Sequence, residues 1–424
     1  MPRAGIRETP DRRSTLAAVK ALIVGSGARE HALAWKLGQS PALDEVHAAP
    51  GNPGIASLGT CHPVRAEDGE GLLSLCGALG IDLVVVGPEA PLVAGLADTL
   101  RHAGVAVFGP TRDAARIEGS KTFAKDVLEA AGVPTARRLA DARPPCVVKS
   151  DGLAAGKGVF VCRTQVELDA GLAAAAALGG DILVEELLEG EEVSLFALSD
   201  GQKVLPLAPA QGFKRLEDGD EGPNTGGMGS YSPVPMLGED DVEELAGLVH
   251  RPVIAELARR GTPFTGLLYA GLMLTDAGPR VLEFNCRFGD PETQALLPRL
   301  GGDLLEALAA AAHGELAGVE LDAGPLAAVT VVLAAPGYPD DPESGIPIGG
   351  VEVAGATGAL VFHAGTALRH GQLVSAGGRV LDLVGTGGSV SDAREQAYAA
   401  VEQIDFPGAQ FRTDIAAKAV RVPG

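Results

Sequence analysis

Three residues at alternate positions, Glu283, Asn285 and Arg287, carry the clearest chemical signal in this chain. They lie in the segment 281–287, Val-Leu-Glu-Phe-Asn-Cys-Arg. In an extended strand alternate side chains share a face, so these three are expected to point one way while Leu282, Phe284 and Cys286 point into a core. A carboxylate and an amide oxygen two positions apart are hard donors suited to Mg²⁺, and a neighbouring arginine suits phosphate. The same alternation also describes a half-exposed strand with a solvated polar face. Two features favour the chemical reading: the turn that follows adds the carboxylates Asp290 and Glu292, and a second cluster supplies cations.

That second cluster is Lys149 with the stretch 152–158, Gly-Leu-Ala-Ala-Gly-Lys-Gly. Glycines let backbone N–H groups approach phosphate oxygens, and lysines bring charge. It is not a Walker A loop, because only three residues separate Gly152 from Gly156 and Lys157 is followed by Gly158 instead of Ser or Thr. An ordinary glycine-rich hairpin with a solvated lysine remains the alternative. Residues 185–192, Glu-Glu-Leu-Leu-Glu-Gly-Glu-Glu, by themselves read as a solvated acidic turn. Gly25-Ser26-Gly27 begins like a dinucleotide fingerprint, but Glu30 stands at the third glycine position. His31 beside it reads as a structural histidine.

Elements must position these groups. Short apolar runs at 21–24, 81–86 and 105–108 each end in a glycine turn, and helical spacing follows the first. Strands alternating with helices imply a parallel, doubly wound α/β sheet with its turns on one rim, where ligands bind. Pro144-Pro145 introduces a strand, the glycine-rich loop and a second strand, the order of a hairpin flap. A helix is expected around 170–178, strands at 182–185 and 193–198, and a long polar loop over 211–232. One helix over 241–260, strands at 266–274 and 279–287, a helix near 304–312 and a β-rich ending with a helix at 392–404 complete the pattern.

The composition excludes several classes of protein. At 424 residues the chain should form about three domains. A net charge of −21 and 4% aromatic residues argue against a nucleic-acid partner. No apolar run approaches the roughly 20 residues of a membrane span, and the polar, arginine-bearing segment 1–20 lacks the apolar stretch of a secretory signal. Five cysteines with no C-x-x-C pair fit reduced thiols in a cytoplasm and no zinc site.

Six segments in order, 25–32, 86–92, 118–121, 149–158, 222–229 and 283–294, together resemble the ATP-grasp family, and within it the ligases that join glycine to 5-phosphoribosylamine in purine synthesis. The resemblance runs from about residue 21 to the C-terminus and implies an N-terminal extension (1–19) and a doubly wound parallel α/β domain (20–119). A central ATP-grasp domain (120–326) with a mobile lid (138–195) and a small β-rich C-terminal domain (327–424) would follow. It implies a glycyl phosphate route, with Arg287 and Lys149 catalytic and Lys121, Lys149, Gly156, Lys157, Gly158, Glu185, Leu187 and Glu192 at ATP. Gly27, Glu89, Lys214, Asn224, Gly226, Gly227, Met228, Arg287, Asp290 and Glu292 would meet the substrates, and Glu283 and Asn285 would hold Mg²⁺ or Mn²⁺. Glycine and 5-phosphoribosylamine would be the small-molecule partners of a monomeric cytoplasmic enzyme. Another ATP-grasp carboxylate–amine ligase or a carboxylase is the alternative. Two departures stand out: Gly212-Phe213 replaces a polar pair common in relatives, and Tyr269-Ala270-Gly271 offers no further acid for a metal.

Overall fold

The computed structural model describes residues 18–153 and 158–420, so the expected flap residues Gly156 and Lys157 lie outside the described residues. Five parallel strands form the first sheet in the order β3-β2-β1-β4-β5: β1 Val19–Gly25, β2 Leu43–Pro50, β3 Thr60–Cys61, β4 Leu83–Val86 and β5 Ala106–Phe108. The runs Leu-Ile-Val in β1 and Leu-Val-Val-Val in β4 are buried throughout, as a parallel sheet covered on both faces requires. Their C-terminal ends put the turns at Gly25-Ser26-Gly27, Gly87-Pro88-Glu89 and Gly109-Pro110 on one rim. At the first turn Gly25 has φ +127°, and a Cβ there would fall 2.7 Å from the side chain of Glu30. Glu30 fills the turn itself: its carboxylate accepts the Gly27 N–H at 2.6 Å and caps the helix Ala28–Leu37.

A small antiparallel sheet, β7-β6-β8, follows (β6 Cys146–Ser150, β7 Val159–Cys162, β8 Ile182–Glu186). With the helix Gln165–Leu178 it encloses its own core of Cys146, Val148, Cys162, Leu168 and Ala175. The largest sheet is antiparallel and has eight strands in the order β13-β12-β9-β10-β11-β14-β18-β15. They are β9 Glu191–Asp200, β10 Val204–Glu217, β11 Glu221–Ser232, β12 Thr265–Thr275, β13 Gly278–Asn285, β14 Ala327–Ala334, β15 Leu360–His363 and β18 Arg379–Gly387. Strands β16 Thr366–Arg369 and β17 Gln372–Ser375 form a separate hairpin. No helix among the described residues is long and apolar enough to cross a membrane.

Two expectations change. The stretch 211–232 is not a loop but the paired strands β10 and β11, turning at Asp218–Asp220. Its glycines answer to packing: a Cβ at Gly212 would fall 2.6 Å from Glu292 Oε1, and one at Gly229 would fall 2.6 Å from the Thr330 carbonyl. The segment 241–260 is two helices, Glu239–Leu248 and His250–Arg259, meeting at Val249 (φ −113°, ψ −65°). Pro252 explains the break, since it has no N–H to give to the carbonyl four residues earlier.

Candidate active site

The rim of the first sheet, the small sheet and one face of the large sheet enclose a cavity of about 390 Å³. The strand β13 supplies its floor. Between Gly271↔Glu283 and Leu272↔Val281 the β12–β13 register slips, leaving Leu282 as the extra residue of a bulge. Val281 therefore takes the core position expected for Leu282, and Leu282 lines the cavity while its carbonyl accepts the Lys149 ammonium at 3.0 Å. Phe284 and Cys286 are buried as expected, and Glu283, Asn285 and Arg287 all line the cavity.

Arg287, just past the end of β13, is held on several sides. Its Nε donates to Glu89 at 3.1 Å, and its Nη2 donates to Glu118 and to Asn285 Oδ1, both at 3.2 Å. Glu118 ends the helix Arg112–Gly119, and its second oxygen accepts the Cys286 N–H at 2.7 Å. Burial pushes the Glu118 carboxyl up, with Arg287 pulling against it. Burial also opposes ionisation of Glu89, but Arg287 and Arg29 outweigh it and hold that carboxyl below its ordinary value.

The phosphate-type cations come from two elements. Lys121 opens the helix Lys121–Ala131, its N–H bound to Asp151 at 2.5 Å and its ammonium bound to the Gly152 carbonyl at 2.9 Å. Lys149 on β6 pairs with Glu185 at 2.6 Å, and Lys125, one helical turn beyond Lys121, pairs with the other oxygen of Glu185. Burial lowers the pKa of both Lys121 and Lys125. On β10, Lys214 lies 2.5 Å from Glu192 and 3.1 Å from Glu283. It is the main influence holding the Glu283 carboxyl down at about 2, against burial.

A last group closes the wall. Asp290 accepts Gln294 at 2.8 Å and Arg379 at 3.0 Å, and Arg379 also donates to the carbonyls of Gly226 (2.6 Å) and Gly227 (3.4 Å). Glu292 lines the same wall, its carboxyl raised by burial.

Most of the expected site residues meet here: Lys121, Lys149, Gly158, Glu185, Lys214, Gly226, Gly227, Glu283, Asn285, Arg287, Asp290, Glu292 and Glu89 all line the cavity. Others stand apart. Leu187 lines a separate surface groove with Glu186 and Arg280. Met228 is fully buried, and Asn224 sits opposite Arg215 in the β10–β11 ladder. The Gly27 N–H is taken by Glu30, although a Cβ at Gly27 would lie 3.8 Å from Asp290. Glu192 does not line the cavity itself and pairs with Lys214, which does. Sequence reasoning passed over Lys125, Glu118, Asp151 and Arg379. Lys125 had a readable signal, four residues after Lys121 on one helix face. Arg379 had none, because only the fold brings the C-terminal segment to this wall.

Glu283 and Asn285 fit a divalent ion by the chemistry of their oxygens. No group of three or more His, Cys, Asp or Glu among the described residues could hold a metal, so the remaining ligands would be nucleotide oxygens and water, as is common for Mg²⁺.

A cleft lined by the parallel-sheet rim, the small sheet and the large sheet, in a chain that matches an ATP-grasp domain over residues 119–293, places the molecule in the ATP-grasp class of enzymes. The biotin carboxylase domain of 2-oxoglutarate carboxylase from Hydrogenobacter thermophilus, solved with MgADP, shares this fold at a TM-score of 0.68, 17% identity, 92% of this chain and 91% of that one. The chain belongs to the phosphoribosylglycinamide synthetase family, whose N domain matches residues 19–118, ATP-grasp (A) domain residues 119–293 and C domain residues 328–418. The phosphoribosylamine–glycine ligase of Streptomyces coelicolor is 54% identical over 417 residues, 95% of this chain and 99% of that protein. That of Rhizobium meliloti is 48% identical over 419 residues, again 95% and 99%. The crystal structure of the Thermotoga maritima phosphoribosylamine–glycine ligase aligns at a TM-score of 0.82 and 35% identity, over 94% of this chain and all of that one.

Proposed function

We propose that this chain joins glycine to 5-phosphoribosylamine, converting ATP to ADP and phosphate and releasing glycinamide ribonucleotide. The observation that carries the reading is the convergence of Lys121, Lys149, Glu283, Asn285 and Arg287, from separate elements, on one cavity. Relatives of near-full coverage that are named as this ligase support it.

In this reading a glycine carboxylate oxygen attacks the γ-phosphorus, the bond to ADP breaks, and glycyl phosphate forms. The nitrogen of phosphoribosylamine then attacks the acyl carbon, phosphate leaves and the amine gives up a proton. Lys121 and Lys149 offset the charge on the phosphate chain, and Arg287, its guanidinium fixed by Glu118 and Glu89, faces the oxygens whose charge grows during transfer. Glu283 and Asn285 would hold Mg²⁺ or Mn²⁺, which when bound supplies further positive charge to the phosphoryl group. By the sequence reading, Gly156, Lys157 and Gly158 would help to keep water from the acyl phosphate. Glu185 would meet the adenine edge, and Glu192 the ribose.

The rim residues Gly27 and Glu89 would receive the phosphoribosyl group. Lys214, Asp290, Glu292 and the backbone of 225–227 would line the path of glycine, where the two carboxylates suit an ammonium group. ADP release should require glycine and phosphoribosylamine together. Equal release with bicarbonate in place of glycine, or with ribosylamine lacking its phosphate, would instead indicate another ATP-grasp ligase or a carboxylase.

A further inference from the structure

The ammonium of Lys214 lies between two carboxylates from different strands, 2.5 Å from Glu192 on β9 and 3.1 Å from Glu283 on β13. Glu283 is the carboxylate assigned above to the metal. A Mg²⁺ ion binds carboxylate oxygen at roughly 2.0–2.1 Å, so an ammonium already on Glu283 Oε1 and an ion bound to that oxygen would be pressed together as like charges. The lysine has room to leave. Its side chain is 37% exposed, and its flexible four-carbon stem can carry the charge away while β10 stays paired.

We propose that Lys214 is a built-in stand-in for the metal. Its ammonium and the divalent ion compete for Glu283, so the protein alone holds the ion poorly. The ion enters with the nucleotide, whose phosphates draw the ammonium off the carboxylates. Lys214 thereby couples metal binding to nucleotide binding and keeps Glu192 and Glu283 from repelling each other beforehand. The inference rests on the reading of Glu283 as a metal donor and adds a partner for that residue which the sequence pattern of β13 does not contain.

The probe is Mn²⁺ alone, followed by calorimetry and by paramagnetic resonance of the free ion, in buffer without nucleotide. The wild-type protein and Lys214→Arg should bind it weakly. Lys214→Met and Lys214→Gln should bind it about tenfold or more tightly, because one unit of opposing charge has gone from beside the site. With a non-hydrolysable ATP analogue present, the wild type should bind Mn²⁺ tightly and the neutral variants should gain little over it. Unchanged Mn²⁺ affinity in both neutral variants overturns the proposal. So does a wild-type protein that binds Mn²⁺ as tightly alone as with the analogue, a result that needs no variant to fold. Glu283→Gln tells the two readings apart: if it leaves Mn²⁺ binding in the presence of the analogue unchanged, the metal reading itself fails. If that binding is lost while the neutral Lys214 variants show no gain, only the stand-in role fails.

Discussion

Glu283 on β13 and Glu118 on the helix Arg112–Gly119 both line the cavity, yet they should fail in different ways. The Glu283 side chain is 39% exposed, so Glu283→Ala should lower kcat by on the order of 10² while the melting temperature barely moves. Steady-state kinetics beside a thermal melt separates the two effects. Glu118 is buried and holds both the Cys286 N–H and the Arg287 guanidinium. Glu118→Ala strands both donors and should cost about 1–3 kcal/mol of stability as well as activity, measured by denaturant unfolding. The alternation of Glu283, Asn285 and Arg287 was legible because period two needs no knowledge of neighbours. Leu282 was misplaced because a bulge depends on the partner strand, and no pattern near Glu118 shows that its carboxylate reaches a strand end 168 residues further on.

The small sheet β7-β6-β8 has a core of its own, built chiefly from Cys146, Val148, Cys162, Leu168 and Ala175. It meets the rest of the molecule through polar links such as Lys149 to the Leu282 carbonyl and Glu185 to Lys125. Leu168→Ala should therefore cost about 2–5 kcal/mol locally. Hydrogen exchange should quicken across β6 and β8 and remain slow in β1 and β4. Equal acceleration in both regions would mean that the small sheet unfolds only with the whole. Its hairpin was legible from two apolar runs around a glycine-rich loop. The β10–β11 pair was not, because glycines that serve close packing, as at Gly212 and Gly229, look in a sequence like glycines that serve a loop. Likewise the apolar spacing of 241–260 carried no sign of a break apart from Pro252.

Across the whole molecule the large sheet carries the C-terminal strands to the site, so that Arg379 on β18 reaches Asp290 and Gln294 bridges Asp290 to the buried Asp382. Burial, and after it the charge of Asp290, pushes the Asp382 carboxyl up to about 8. An unfolded aspartate titrates near 3.9, so between about pH 4 and 8 the folded state holds the extra proton and stability falls as pH rises through that window. The melting temperature of the wild type should drop more steeply from about pH 5 to pH 8 than that of Asp382→Asn, with the two flattening alike above that range. Parallel curves would show that Asp382 ionises normally. This junction was invisible in the sequence, since Asp290 and Asp382 share no motif and meet only because β14 and β18 pair beside the helix Glu292–Leu296.

The central claim is that a glycine carboxylate oxygen attacks the γ-phosphate within this cleft, and isotope transfer tests it most directly. Glycine carrying heavy oxygen in its carboxylate should be supplied with ATP and phosphoribosylamine, and the released phosphate analysed by mass spectrometry. Passage through glycyl phosphate predicts that one carboxylate oxygen of each glycine consumed appears in the phosphate. Phosphate free of the label, formed while glycinamide ribonucleotide accumulates, would contradict the account.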